Sequence, residues 1–312
     1  MYSRWYSVAV VLLWLATMTW LITQKVLPAL LVGEPPNYRT ILEAGRDDLV
    51  VGWRMTWDGR PLGWALNTRT PLPQGMTEVQ SRIHFTELPL QDLTPDWLHG
   101  LLDPKGQLPV ELQMDVKNTL VFDSLGQLSR FESSAGFQAM EALIKVRGMI
   151  DAGELTLSVR SGDFTYQPEP IPFAGRSMLS DALSPQTHLP GLREGQTWTV
   201  KVYSPLRPPS GPLDPPPLDI LEAEVVETER IRWDGQQVDT WHVVYRVDRG
   251  AQTGRDRNPR GEAWVRCGDG TVLKQKATVF NSTLIFVRLP DEPARALAAS
   301  AGYLPQDELR PR

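Results

Sequence analysis

The chain has 312 residues, with 32 Lys and Arg against 37 Asp and Glu, a formal net charge of -5. The basic residues are scattered and form no stripe, which argues against a nucleic-acid-binding surface. A single cysteine, Cys267, excludes an intrachain disulfide and any metal site built from cysteines.

The first predicted element is apolar. Residues 5–24, "WYSVAVVLLWLATMTWLITQ", carry no charge and match the length a helix needs to cross a bilayer. Along such a helix Trp5 and Trp20 lie roughly 22 Å apart, suiting two interfacial belts. A cleaved signal peptide would need a shorter core and a small-x-small site, and "ITQKVLPALLVG" offers none. Residues 1–32 are therefore expected to be an uncleaved single-pass membrane anchor. Arg4 and the amino terminus would face the cytoplasm, with the bulk of the chain extracytoplasmic. Residues 33–46, opening with "GEPPNY", read as a stiff linker.

From 47 to 290 the pattern is that of antiparallel sheet, in keeping with 27 Pro, 24 Gly and 11 Trp. Val51, Trp53, Met55 and Trp57 alternate with Gly52, Arg54 and Thr56. The same period recurs in Val79–Phe85, Val110–Val116, Ile144–Ile150, Leu155–Val159, Trp198–Val202 and Trp241–Val247. Asp-Gly at 58–59, 234–235 and 269–270, "DSLG" at 123–126 and "DAG" at 151–153 mark the hairpin turns. The expected fold is mainly β, a long antiparallel meander forming a strongly curved sheet or an open barrel. Short helices are expected at 94–103 and 176–184. A proline-rich excursion, 204–218, interrupts the sheet. Residues 291–312 read as a helix and a tail.

Two stretches resemble each other: "RMTWDGRPLGW" (54–64) and "RIRWDGQQVDTW" (230–241). They allow a two-half repeat, about 47–165 and 190–290. Convergence on hairpin chemistry explains them better than an old duplication does.

The second half, from "LPGLREGQTWTVKVYSP" through "ETERIRWDGQQVDTWHVVYRV" to "GEAWVRCGDGTVLKQKA", together with the opening "WRMTWDGRPLGW", resembles bacterial envelope β-proteins known only as a domain of unknown function. That group looks similar in architecture to periplasmic lipoprotein-carrier proteins, which hold acyl chains in an apolar hollow. The resemblance consists of turn glycines and strand aromatics and carries no catalytic residue across.

No reaction is specified. His84, His99, His188 and His242 lack metal-ligand spacing. Cys267 reads as a small buried hydrophobe. Asp47 and Asp48 would need a partner in a cleft before acid–base chemistry could be assigned. No cofactor or metal is implied. The candidate ligand-binding residues are Trp53, Trp57, Trp198, Trp233 and Trp241, as core or as a pocket lining. The expected function is non-catalytic binding of a lipid, an acyl chain or an envelope partner protein. The alternative is a structural module with a filled core; an enzyme with a dispersed site ranks below both.

Overall fold

The computed structural model describes residues 4–21, 35–48, 50–89, 111–137, 140–162, 164–173, 178–181, 184–203, 218–247, 258–279 and 282–303. The helix expected at 94–103 and nearly all of the proline-rich excursion lie outside the described residues.

The alternating segments form one sheet of sixteen strands. In chain order they are β1 (Val50–Trp57), β2 (Arg60–Pro71), β3 (Thr77–Pro89), β4 (Glu111–Phe122), β5 (Leu128–Phe137), β6 (Met140–Asp151), β7 (Glu154–Ser161), β8 (Phe164–Tyr166), β9 (Ile171–Pro172), β10 (Met178–Asp181), β11 (Thr197–Tyr203), β12 (Leu218–Trp233), β13 (Gln236–Val247), β14 (Gly261–Arg266), β15 (Val272–Val279) and β16 (Ser282–Arg288). Strands β1–β8 and β10–β16 are two meanders joined where β16 pairs with β1, and β9 pairs separately with β7. The strand order is an open path and does not close into a barrel. The sequence 176–184, expected as a helix, instead contains β10, which runs parallel to β11.

Turn chemistry explains the hairpins. Asp58-Gly59, Asp234-Gly235 and Ala152-Gly153 all hold positive φ, at 45° and 83°, 48° and 75°, and 49° and 81°. This is the two-residue turn whose twist matches the flanking strands. The third Asp-Gly differs. Only Gly270 has positive φ there, and a Cβ at Gly270 would meet Pro190 at 2.6 Å. That turn is shaped by contact with the 187–190 segment. Cys267 lies in it and is exposed, not buried.

Among the described residues, three α-helices accompany the sheet. Helix α1 is Arg4–Leu21. Among the described residues, no helix is long and apolar enough to cross a membrane. Arg4, Thr17 and Thr19 dilute the aliphatic residues of α1. The single-pass anchor therefore does not stand, nor does the cytoplasmic-to-extracytoplasmic orientation built on it. Helix α2 (Tyr38–Ala44) occupies the stretch read as a linker. Asn37 caps it reciprocally with Thr40, satisfying donors that a helix start leaves open. Helix α3 (Asp291–Ser300) buries Ala294 and Ala298, and Ala294 lies close against Gly52 of β1.

One face of the sheet carries the core as two apolar clusters. The larger includes Trp53, Met55, Ile83, Val116, Ala135, Trp198, Val243, Val265 and Phe286. The smaller includes Phe122, Phe131, Val146, Leu157, Tyr166 and Leu179. Helix α2 touches both, Ile41 packing on the first and Tyr38 and Leu42 on the second.

Candidate functional site

The strand register places three successive rows of inward side chains across β2–β5. Ala65, Ile83, Val116 and Ala135 are aligned and belong to the larger cluster. Two residues along come Asn67, Ser81, Asn118 and Ser133, aligned in the same way. Two further along come Arg69, Val79, Leu120 and Phe131, the last three in or against the smaller cluster. A polar row thus crosses the sheet between two apolar cores, and all four of its members are buried.

Above this row is a cavity of about 160 Å³. Its walls include Tyr38, Ile41 and Leu42 of α2, Val51 of β1, Leu120, Phe122 and Phe131 of the smaller cluster's side, and the segment 184–188. An engineered apolar cavity of about 150 Å³ admits benzene, so the space suits a small molecule or one end of a larger one.

The polar row is partly satisfied. Asn67 Oδ1 accepts from Trp53 Nε1 at 2.8 Å. Asn118 Nδ2 donates to Ser184 Oγ at 2.6 Å, and Ser184 Oγ donates on to Ser81 Oγ at 3.2 Å. Asn118 Oδ1, Ser133 Oγ and His188 Nδ1 have no partner among the described residues. Buried polar atoms left in this state cost free energy, which makes each one a place where a ligand group would be stabilised.

His188 reaches the cavity because residues 187–189 pair with the turn before β15. Leu189 N donates to Gly270 O at 2.7 Å and Val272 N to Thr187 O at 3.0 Å. Its Nε2 lies 3.4 Å from Asp48 Oδ2. Arg288 pairs with the same carboxylate and also donates to Thr187 O at 3.1 Å. Asp48 thus has the cleft partners that the sequence could not show. Burial pushes the His188 imidazole below its ordinary value, and Arg288 adds to the effect, against the opposing pull of Asp48. A neutral ring with its proton on Nε2, the nitrogen nearer the carboxylate, would leave Nδ1 as an acceptor. On α2, the Tyr38 hydroxyl donates to Leu179 O and accepts from Leu179 N. Burial pushes that phenol up, so it stays protonated.

The five candidate tryptophans lie elsewhere. Trp53, Trp57 and Trp198 are buried in the larger cluster, Trp241 packs against it half-buried, and the half-buried Trp233 donates to Arg288 O at 2.9 Å. None of the five lines the cavity. His84 and His242 sit on the opposite face. Each stacks on a cross-strand tryptophan, Trp64 at 5.2 Å and Trp264 at 5.0 Å, and each faces a carboxylate, Asp115 at 3.3 Å and Glu262 at 3.0 Å. Partial burial, with Asp239 nearby, pushes the Cys267 thiol up, away from a reactive thiolate. Among the described residues no three His, Cys, Asp or Glu side chains gather as a metal site.

Fold and site together define an open, mainly antiparallel β domain with a small cavity under a short helix. No protein-family model matches the chain, and no curated protein does. Two solved bacterial structures are similar. One is a DUF1089 family protein from Pseudomonas aeruginosa, 14% identical, covering 67% of this chain and 87% of its own, at a TM-score of 0.32. The other is the hypothetical lipoprotein YmcC from Escherichia coli, 11% identical, covering 77% of this chain and 86% of its own, at a TM-score of 0.26. Neither is named as a lipoprotein-carrier protein, and likenesses this distant carry no argument about function.

Proposed function

We propose that this β domain binds a small apolar or amphipathic ligand, without catalysis, in the cavity between α2 and strands β1–β5. The observation that supports the reading is the cavity itself, a space of about 160 Å³ between two otherwise packed apolar clusters. Burying an apolar ligand there is favourable by about 25 cal/mol per Å² of apolar surface removed from water. The size favours a ring or a short chain over a whole lipid, because pockets for drug-sized ligands start at about 300 Å³.

Calorimetric titration of the full chain with toluene tests this. Saturable binding is expected, and Ile41→Phe, which fills the space from the helix side, should weaken it by about tenfold or more while leaving the fold intact. Unchanged affinity in Ile41→Phe would place the binding elsewhere and end the proposal. The tryptophan core favours a second reading, a structural module: Trp53 and Phe286 are fully buried. Failure of every apolar ligand to bind would leave that reading standing.

A further inference from the structure

We infer that the cavity selects a neutral ligand whose apolar body ends in a hydrogen-bond donor, such as a hydroxyl or an uncharged N–H, seated on Asn118 Oδ1 and Ser133 Oγ. The inference rests on the binding reading above and adds the class of ligand.

Asn118, Ser133 and His188 all line the cavity, at 7%, 4% and 4% exposure. Each has one side-chain atom with no partner among the described residues. Asn118 and Ser133 face each other directly across β4 and β5, a register that puts their Cβ atoms about 5 Å apart. One ligand group therefore reaches both.

The orphan atoms ask for donors. The orientation of the Asn118 amide follows from its neighbour. Ser184 Oγ donates to Ser81 Oγ and accepts from Asn118 Nδ2, an arrangement in which Oδ1 is the amide atom left without a partner. A carbonyl oxygen only accepts. His188 Nδ1 is also an acceptor when Nε2–H faces Asp48. Ser133 Oγ either donates or accepts, so it adapts to the partner that the other two require. A hydroxyl satisfies this pair by donating to Asn118 and accepting from Ser133.

The charges nearby favour a neutral head. Asp48 is neutralised by Arg288. Arg69, one row further along the same face, donates from Nη1 to the carbonyl of Leu42. A carboxylate head would set its charge against Asn118 Oδ1 in a low-dielectric space, where unpaired charge is costly.

The test compares toluene, benzyl alcohol and benzoate on the full chain by calorimetry. Benzyl alcohol should bind about tenfold tighter than toluene, the effect of one hydrogen bond to an otherwise orphaned group. Ser133→Ala and, separately, Asn118→Leu should erase that preference while toluene still binds. Equal affinities for toluene and benzyl alcohol in the wild type would overturn the inference and leave the binding reading intact. Benzoate binding tighter than benzyl alcohol would also overturn it, pointing to Arg69 as the anchor. No binding of any of the three would sink both readings. The wild-type comparison needs no variant, so a misfolded Asn118→Leu does not blunt it.

Discussion

Gly63 shows how little room the sheet leaves at single residues. It has φ of 156° where β1 and β2 shift register between Met55 and Thr56, and an added Cβ would lie 1.9 Å from His84 O. That obstacle is backbone and cannot rotate away. Gly63→Ala should lower stability by about 3 kcal/mol, read as a shift in the urea midpoint with unchanged slope. A shift under about 0.5 kcal/mol, the range of an ordinary surface change, would contradict the packing described here. At His188 the expectation is a pH dependence. Its folded pKa lies below the ordinary 6.5, so between the two values the unfolded chain binds more protons. Stability then falls as pH drops below 6.5, down to the folded pKa, and rises with pH across the same window. The charged groups around the ring are Asp48, Asp269, Arg266 and Arg288. Glu262 and Asp115 are held below 4.5 and 3.8, so their loss comes in more acid solution. Denaturation between pH 7.5 and 5 should show the slope, and His188→Gln should flatten it. An equal slope in both proteins would remove His188 as its source.

Helix α2 is the element on which the site depends. Its seven residues are too few for a helix to be stable alone, so its cap and its contacts hold it. Tyr38 is the strongest of these, because one hydroxyl satisfies both backbone groups of Leu179 in β10. Tyr38→Phe keeps the ring against Phe122, 4.8 Å away, yet orphans both groups. It should cost about 1–3 kcal/mol and speed hydrogen exchange at the Leu179 amide. Exchange there no faster than in the wild type would show that the hydroxyl is dispensable. The strands were legible in the sequence because alternation and Asp-Gly turns are local signals: Val51–Trp57 and Leu155–Val159 could be read residue by residue. Helix α2 was not legible, because seven residues give too short a period, and the prolines before it suggested an extended spacer. Nor was β10, whose four residues are too few to show an alternation and pair in parallel with β11. The tryptophans drew attention as a pocket lining because bulk is visible in a sequence, whereas a hollow is not.

At the scale of the whole molecule, the two meanders are joined by the pairing of β16 with β1, and this seam carries the site. It brings Arg288 of β16 beside Asp48, just before β1, and the 184–188 segment over the face of β2–β5. The polar row was half legible. Ser81 shares the parity of Val79 and Ile83, and Asn118 continues that of Met114 and Val116, so a break in two apolar faces could be seen. That the two breaks align, and that Asn67 and Ser133 join them, is set by strand register, which the alternation within each strand does not fix. The same holds for the pairing of Asp48 with His188 and Arg288, which are distant in the sequence. The central claim is that this aligned row is the floor of a ligand site. A crystal of the full chain soaked in benzyl alcohol tests it most directly. The account predicts the ring among Ile41, Leu120 and Phe131, with its hydroxyl within hydrogen-bond reach of Asn118 Oδ1 or Ser133 Oγ. A cavity filled by side chains, or by ordered water that the alcohol does not displace, would contradict it.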